Sequence, residues 1–283
     1  MWQINDEIGF FKNALNGGFA NVKDLFYSID NKFLAYIPKE IKQNIPTLQS
    51  RNALIGNYTE TWCQKLLAPM ARKFNLYAVN GVVCEELGLI KSSRADLAFC
   101  TTNEINQQAK NIKLIFEIKM SIVNNYQLND NNVIFIGDYK THKAPPSLTR
   151  SDSVLKAIGK AINIRVSSES ARSVPIVILG NTHISNNYLN KIDHLGQYGV
   201  LQKIISLNSA IDSIKNSPLE YFETPQNINA LEKILEYILK QDFYYFSAML
   251  DKKKLGEIIQ KSANFENEIQ IAEYFLKKLK EVK

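Results

Sequence analysis

KLIFEIKMSIV, residues 113–123, is an apolar run with Glu117 and Lys119 set into its middle. Its length and its Ile/Val/Phe content predict a strand. In a strand, residues two apart share a face. Leu114, Phe116, Ile118 and Met120 then point one way, and Ile115, Glu117, Lys119 and Ser121 the other. RADLAFC, residues 94–100, reads in the same manner: Ala95, Leu97 and Phe99 lie together, and Asp96 shares a face with Ala98 and Cys100. If the two strands are neighbours, Asp96 meets Glu117 at one end of a sheet. Two carboxylates there repel unless a cation joins them. A hard divalent ion such as Mg²⁺ accepts oxygen ligands of this kind.

Working outward, the first fifty-odd residues read as short amphipathic helices, IGFFKNALNGGF and VKDLFYSIDNKFLAYI, broken at Gly17–Gly18, Pro38 and Pro46. A further helix is expected from about Gly56–Asn57 through YTETWCQKLLAPMARKF, with Pro69 kinking or dividing it. LYAV and VVCEE are expected as strands on either side of Asn80–Gly81, and VIFIG at 133–137 as another. SDSVLKAIGKAINIRV reads as a helix with Ser151 or Asp152 as N-cap and Val154, Leu155, Ile158, Ala161 and Ile162 on one side. The continuously apolar SVPIVILG, 173–180, suits a strand covered on both faces. From about Leu201 the chain is expected to be mainly helical, most clearly in LEKILEYILKQDFYYFSAML and IQIAEYFLKKLKEV. The fold class expected is therefore α/β: a mixed central β-sheet flanked by helices, with helical additions at both ends. The divisions expected are a helical region over 1–55, a core over 56–205 and a helical region over 206–283.

The chain has 283 residues, 45% hydrophobic and 22% charged, an ordinary globular composition. No apolar run approaches the length that spans a bilayer, and no signal peptide is expected from MWQINDEIGFF. Cys63, Cys84 and Cys100 are odd in number and unpaired in spacing, which points away from a disulfide framework or a zinc site and towards apolar packing in a reducing cytoplasm. His142, His183 and His194 show no ligand spacing and read as loop or surface residues. No phosphate-cradling GxxxxGK[ST] loop or GxGxxG fingerprint is present, so no nucleotide cofactor is expected.

Asp96, a strand-loop-strand, then Glu117-Ile118-Lys119 resembles the PD-(D/E)xK nuclease superfamily, which includes many type II restriction endonucleases. The resemblance covers roughly residues 56–180 and extends to the order helix, strands, helix, strand. It includes Glu60 in the preceding helix, where members often carry a supporting carboxylate. Ala95 stands where the motif opens with proline. The resemblance implies a restriction-endonuclease-like core and Mg²⁺-assisted, site-specific hydrolysis of double-stranded DNA. Asp96, Glu117 and the Ile118 carbonyl would hold the metal, and Lys119 would orient the attacking water or help to deprotonate it. A repair or structure-specific nuclease of the same superfamily, or a non-catalytic DNA-binding protein, remains as the alternative reading.

The net charge is +6, and the segment from Asp138 to Arg165 carries six basic and two acidic residues. Lys156 and Lys160, one helical turn apart, suit phosphate contacts, and Lys140, Lys143 and Arg150 suit groove or backbone contacts. HISNNYLNK, 183–191, is a second candidate for reading bases. A homodimer with two-fold symmetry would cut both strands of a palindrome.

Overall fold

The computed structural model describes residues 1–42, 45–143, 148, 153–182, 184–209, 216–241 and 250–282. Its centre is a six-stranded mixed sheet. Strands β3 (Tyr77–Val82), β4 (Ala95–Cys100) and β5 (Ile112–Lys119) form an antiparallel meander. β8 (Ile176–Gly180), β9 (Lys203–Ser206) and β10 (Phe222–Glu223) continue from β5 in parallel, in the order β10-β9-β8-β5-β4-β3. Parallel neighbours require crossovers, and those from β5 to β8 and from β8 to β9 include helices. α4 (Ser153–Ser167) lies between β5 and β8 in the chain, and α5 (Asn186–Gln197) between β8 and β9.

Both faces of this sheet are covered. Leu97, Phe99, Leu114, Phe116 and Ile118 share a core with α1 (Ile4–Asn16), the long α3 (Gln49–Lys73) and α6 (Ile228–Lys240). Ala98, Cys100, Ile115 and Ile176 pack on the other side with Ala161 and Ile164 of α4. The expected alternation along β4 and β5 is therefore the division between two cores. The α/β class with a helix-flanked mixed sheet is as expected.

A second sheet was not anticipated. Residues expected to be helical after Val22 form one short turn, α2 (Val22–Leu25), and then a hairpin of β1 (Tyr27–Ile29) and β2 (Lys32–Leu34). Asp30 and Asn31 both take positive φ, the turn that matches strand twist, and this ends any helix there. β6 (Asn125–Asn129) and β7 (Asn132–Gly137) complete a four-stranded sheet in the order β1-β2-β6-β7.

Other expectations shift in detail. α3 starts at Gln49 rather than near Gly56 and runs unbroken through Pro69, which sits on the exposed side. The carbonyl of Lys65, left without the donor that Pro69 lacks, lies on the exposed side where water can reach it, so the helix tolerates the proline. β3 passes straight through Asn80–Gly81, because Gly81 takes φ +65° where a side chain would be strained. The run MSIV is not strand: β5 ends at Lys119. α4 buries Val154, Ala157, Ala161, Ile164 and Arg165, while Leu155 and Ile162 are exposed, so its inner face is rotated from the one expected. Arg165 is kept inside by donating to the carbonyls of Ala171 and Val174 and to Gln202. β9 and β10 occupy chain expected to be helical, and helix α7 (Lys252–Ser262) precedes α8 (Glu268–Glu281). Residues 242–249 of the segment LEKILEYILKQDFYYFSAML lie outside the described residues, as do Ser151 and Asp152.

Cys63, Cys84 and Cys100 are buried and free, as expected. His142 differs: it is fully buried, stacked on Tyr36 at 4.0 Å, because its segment closes over the small sheet through a Pro38–His142 bridge. His194 is exposed in the last turn of α5, and His183 lies outside the described residues. Among the described residues no helix is long and apolar enough to cross a membrane.

Candidate active site

Antiparallel pairing sets Leu97 opposite Phe116 and Ala98 opposite Ile115. One step further along, Asp96 comes opposite Glu117 at the end of the sheet. The Asp96 carboxylate closes this end by accepting from the Ile118 backbone N–H at 2.8 Å through Oδ2. The same oxygen accepts from Lys119 Nζ at 2.9 Å. Lys119 Nζ also lies 3.3 Å from Glu117 Oε2 and donates to the Ile118 carbonyl at 3.0 Å. The four groups anticipated as one constellation, Asp96, Glu117, the Ile118 carbonyl and Lys119, thus converge.

The shared face is not open to solvent, as its charges suggested. α4 covers it, and Lys160, expected at DNA phosphates, comes down into the cluster instead. Its Nζ stands 2.5 Å from Glu117 Oε1 and 3.6 Å from Asp96 Oδ1. It also donates to the Arg94 carbonyl at 2.6 Å. The Glu117 side chain is consequently only 1% exposed, against 16% for Asp96, 22% for Lys119 and 17% for Lys160. Burial, and next the Asp96 charge, push the Glu117 carboxyl above its ordinary value, with both lysines pulling the other way. Burial pulls the Lys119 ammonium down, but the two carboxylates outweigh it and hold it above the usual lysine value.

Glu60 stands on α3, which packs on the opposite face of the sheet. It is half-buried, and burial, then Asp96, raises its carboxyl while Lys119, Arg94 and Lys160 lower it. Among the described residues no hydrogen bond or ion pair joins it to the cluster. One turn further along α3, Gln64 donates to the Ala78 carbonyl at 3.0 Å and accepts from Asn80, which fastens α3 to β3 near the site.

The chain leaving Lys119 is pinned residue by residue. Cys63 contacts the Met120 sulfur, and Asn181 at the end of β8 bonds both the N–H and the carbonyl of Ser121. Tyr36 donates to the Ile122 carbonyl at 2.5 Å. The buried Glu7 of α1 accepts from the N–H groups of Val123 and Asn124, from Trp2 and from Tyr126. A site needs such support to keep its geometry.

Sequence reasoning missed Glu7 and Asn181 as its supports, and it missed the contact of Lys160 with the two carboxylates. A signal for Lys160 existed in the buried helix face, since Ala157, Ala161 and Ile164 place it beside them. Of the other basic candidates, Lys156 is exposed on α4, and Lys140 and Lys143 are exposed after β7, outside the cluster. Lys143 Nζ donates to the Lys42 carbonyl. Arg150 lies outside the described residues. HISNNYLNK is largely the start of α5 rather than a loop.

Comparison with protein-family models, curated proteins and solved structures returns no match. Function rests on the site itself.

Among the described residues no group of three or more His, Cys, Asp and Glu side chains converges. The donors available to a metal are two carboxylates and the Ile118 carbonyl. All are hard oxygens, which fit Mg²⁺ with water completing its shell. Glu117 Oε1 and Asp96 Oδ1 face the same cation, the Lys160 ammonium, so the two carboxylates already share a positive partner.

Proposed function

We propose that the chain is a Mg²⁺-dependent DNA endonuclease, most like a type II restriction enzyme, cleaving double-stranded DNA as a homodimer. The observation that carries this reading is the convergence of Asp96, Glu117, the Ile118 carbonyl and Lys119 at one end of an otherwise apolar strand pair. Asp96, Glu117 and the Ile118 carbonyl would hold the ion. Such an ion supplies polarisation of the phosphate and a lowered pKa of bound water.

The chain's own groups account for the remaining requirements. Lys119, held cationic between two carboxylates, orients a water by donating to it and offsets charge building on the phosphate. That assigns it charge and orientation rather than proton abstraction. Glu60, half-buried on α3, would orient solvent at the rim. Lys156 on the outer surface of α4 would meet the DNA backbone, with Lys140 and Lys143 as further contacts. Two copies related by a two-fold axis would present one site to each strand. A reducing cytoplasm is the compartment this reading implies, in keeping with three buried free thiols.

Purified protein incubated with plasmid DNA and Mg²⁺ tests the reading. Discrete fragments are expected, and Asp96→Ala or Lys119→Ala should slow cleavage by about a thousandfold, the scale on which electrostatic catalytic groups act. Preference for branched substrates would move the assignment to a repair nuclease. Uncut DNA under all metal conditions would overturn it.

A further inference from the structure

The cluster holds one more cation than its nuclease resemblance calls for. We propose, resting on the nuclease reading above, that Lys160 is a removable counter-ion: a divalent ion enters by displacing this ammonium, which then turns to a DNA phosphate beside Lys156.

The two lysines divide the carboxylate oxygens between them. Lys119 takes Asp96 Oδ2 and Glu117 Oε2, and Lys160 faces Asp96 Oδ1 and Glu117 Oε1. Two carboxylates against two ammoniums leave the group neutral. A divalent ion added without loss of a cation would place a double positive charge around a glutamate that is 1% exposed. Such uncompensated buried charge is strongly unfavourable, so one ammonium must leave.

Geometry selects Lys160. Lys119 is two residues from Glu117 on the same strand, also bonds the Ile118 carbonyl, and continues into chain fixed at Met120, Ser121, Val123 and Asn124. Its backbone cannot withdraw from the carboxylates. Lys160 reaches in from a helix on a flexible stem. The neighbouring Gly159 has open space around it. The Lys160–Glu117 contact, at 2.5 Å, is an ion pair, and an incoming cation competes for the same carboxylate oxygen. Once released, the ammonium lies one helical turn from the exposed Lys156. The same displacement that admits the metal therefore adds a positive charge to the surface that would hold DNA.

The test is metal binding without DNA, followed by Mn²⁺ electron paramagnetic resonance on the parent, Lys160→Gln and Lys160→Arg. Lys160→Gln removes the competing charge and should bind Mn²⁺ about tenfold more tightly. Lys160→Arg keeps the charge and should bind no more tightly than the parent. A merely structural lysine would leave affinity unchanged or weaken it on substitution, and either result overturns the proposal. Binding by neither the parent nor Lys160→Gln would overturn the nuclease reading together with this one. Equal binding by both overturns this one alone. Carbon-13 NMR of lysine Cε in the unaltered chain gives an answer even if the variants fold poorly. On Mg²⁺ addition the Lys160 resonance should move to the position of exposed lysines while Lys119 stays in its buried environment. A stationary Lys160 resonance overturns the proposal.

Discussion

Glu7 and Glu117 are both buried glutamates, and they are held in opposite ways. Glu7 sits between α1 and the chain leaving β5, where every partner is a neutral donor: the Trp2 indole at 2.9 Å, the Val123 and Asn124 N–H groups at 2.9 and 3.0 Å, and the Tyr126 hydroxyl at 2.8 Å. Glu117 sits between β5 and α4, with two lysine ammoniums as its partners. In both, burial raises the carboxyl above its ordinary value. The fixed dipoles around Glu7 belong to backbone and packed rings and cannot leave. Of the ammoniums around Glu117, that of Lys160 sits on a long stem at the edge of solvent and can. A buried carboxylate wrapped in immovable donors is a structural tie, while one held by a movable cation is available for exchange.

The largest effect on stability is expected at the structural tie. Glu7→Ala removes the acceptor of five donors, three of them buried, and should lower unfolding free energy by about 4 kcal/mol, read by urea denaturation. A loss below about 1 kcal/mol would break the comparison.

The same region holds His142, buried against Tyr36, with neither ring nitrogen partnered among the described residues. Burial first, then the Arg51 charge, lowers its pKa from 6.5 to about 4. The native ring stays neutral while the unfolded chain takes up a proton below pH 6.5. Stability is therefore complete above that pH and declines as pH falls towards about 4. At about 1.4 kcal/mol per pKa unit, the loss is about 3 kcal/mol. His142→Phe should flatten this part of the stability–pH curve, and an unchanged slope would assign the acid sensitivity elsewhere.

The smallest change in stability is expected at the exchangeable site. Glu117→Gln should alter unfolding free energy by less than about 1 kcal/mol, because Lys160 can turn to water once the charge is gone and Lys119 keeps Asp96 as its partner. The same substitution should abolish cleavage. A variant that is both inactive and strongly destabilised would place Glu117 with Glu7 as a structural tie.

Much of the site was legible before any coordinates, because its information is local. The alternation along KLIFEIKMSIV places Glu117 and Lys119 on one face, and RADLAFC places Asp96 to meet them, without knowledge of what packs above. The hairpin at Asp30–Asn31 was misread because Val22–Ile37 carries helical spacing, and its turn depends on two residues in positive φ rather than on periodicity. β9 was misread for a related reason: four residues covered on both faces carry too short a pattern to separate strand from helix.

The sequence by itself determined the mixed α/β class, the two faces of β4 and β5, and, on condition that those strands pair, the meeting of Asp96, Glu117 and Lys119. Each follows from a period of two within an element and from pairing between strands close in the chain. Only the tertiary structure decided that α4 rotates Lys160 into the carboxylates, that Glu7 reaches from α1 to residues 123–126, and that a second sheet joins β2 to β6. Those contacts join elements far apart in the chain, and which face of one element covers another is settled by the shared burial of apolar surface, which no local pattern encodes.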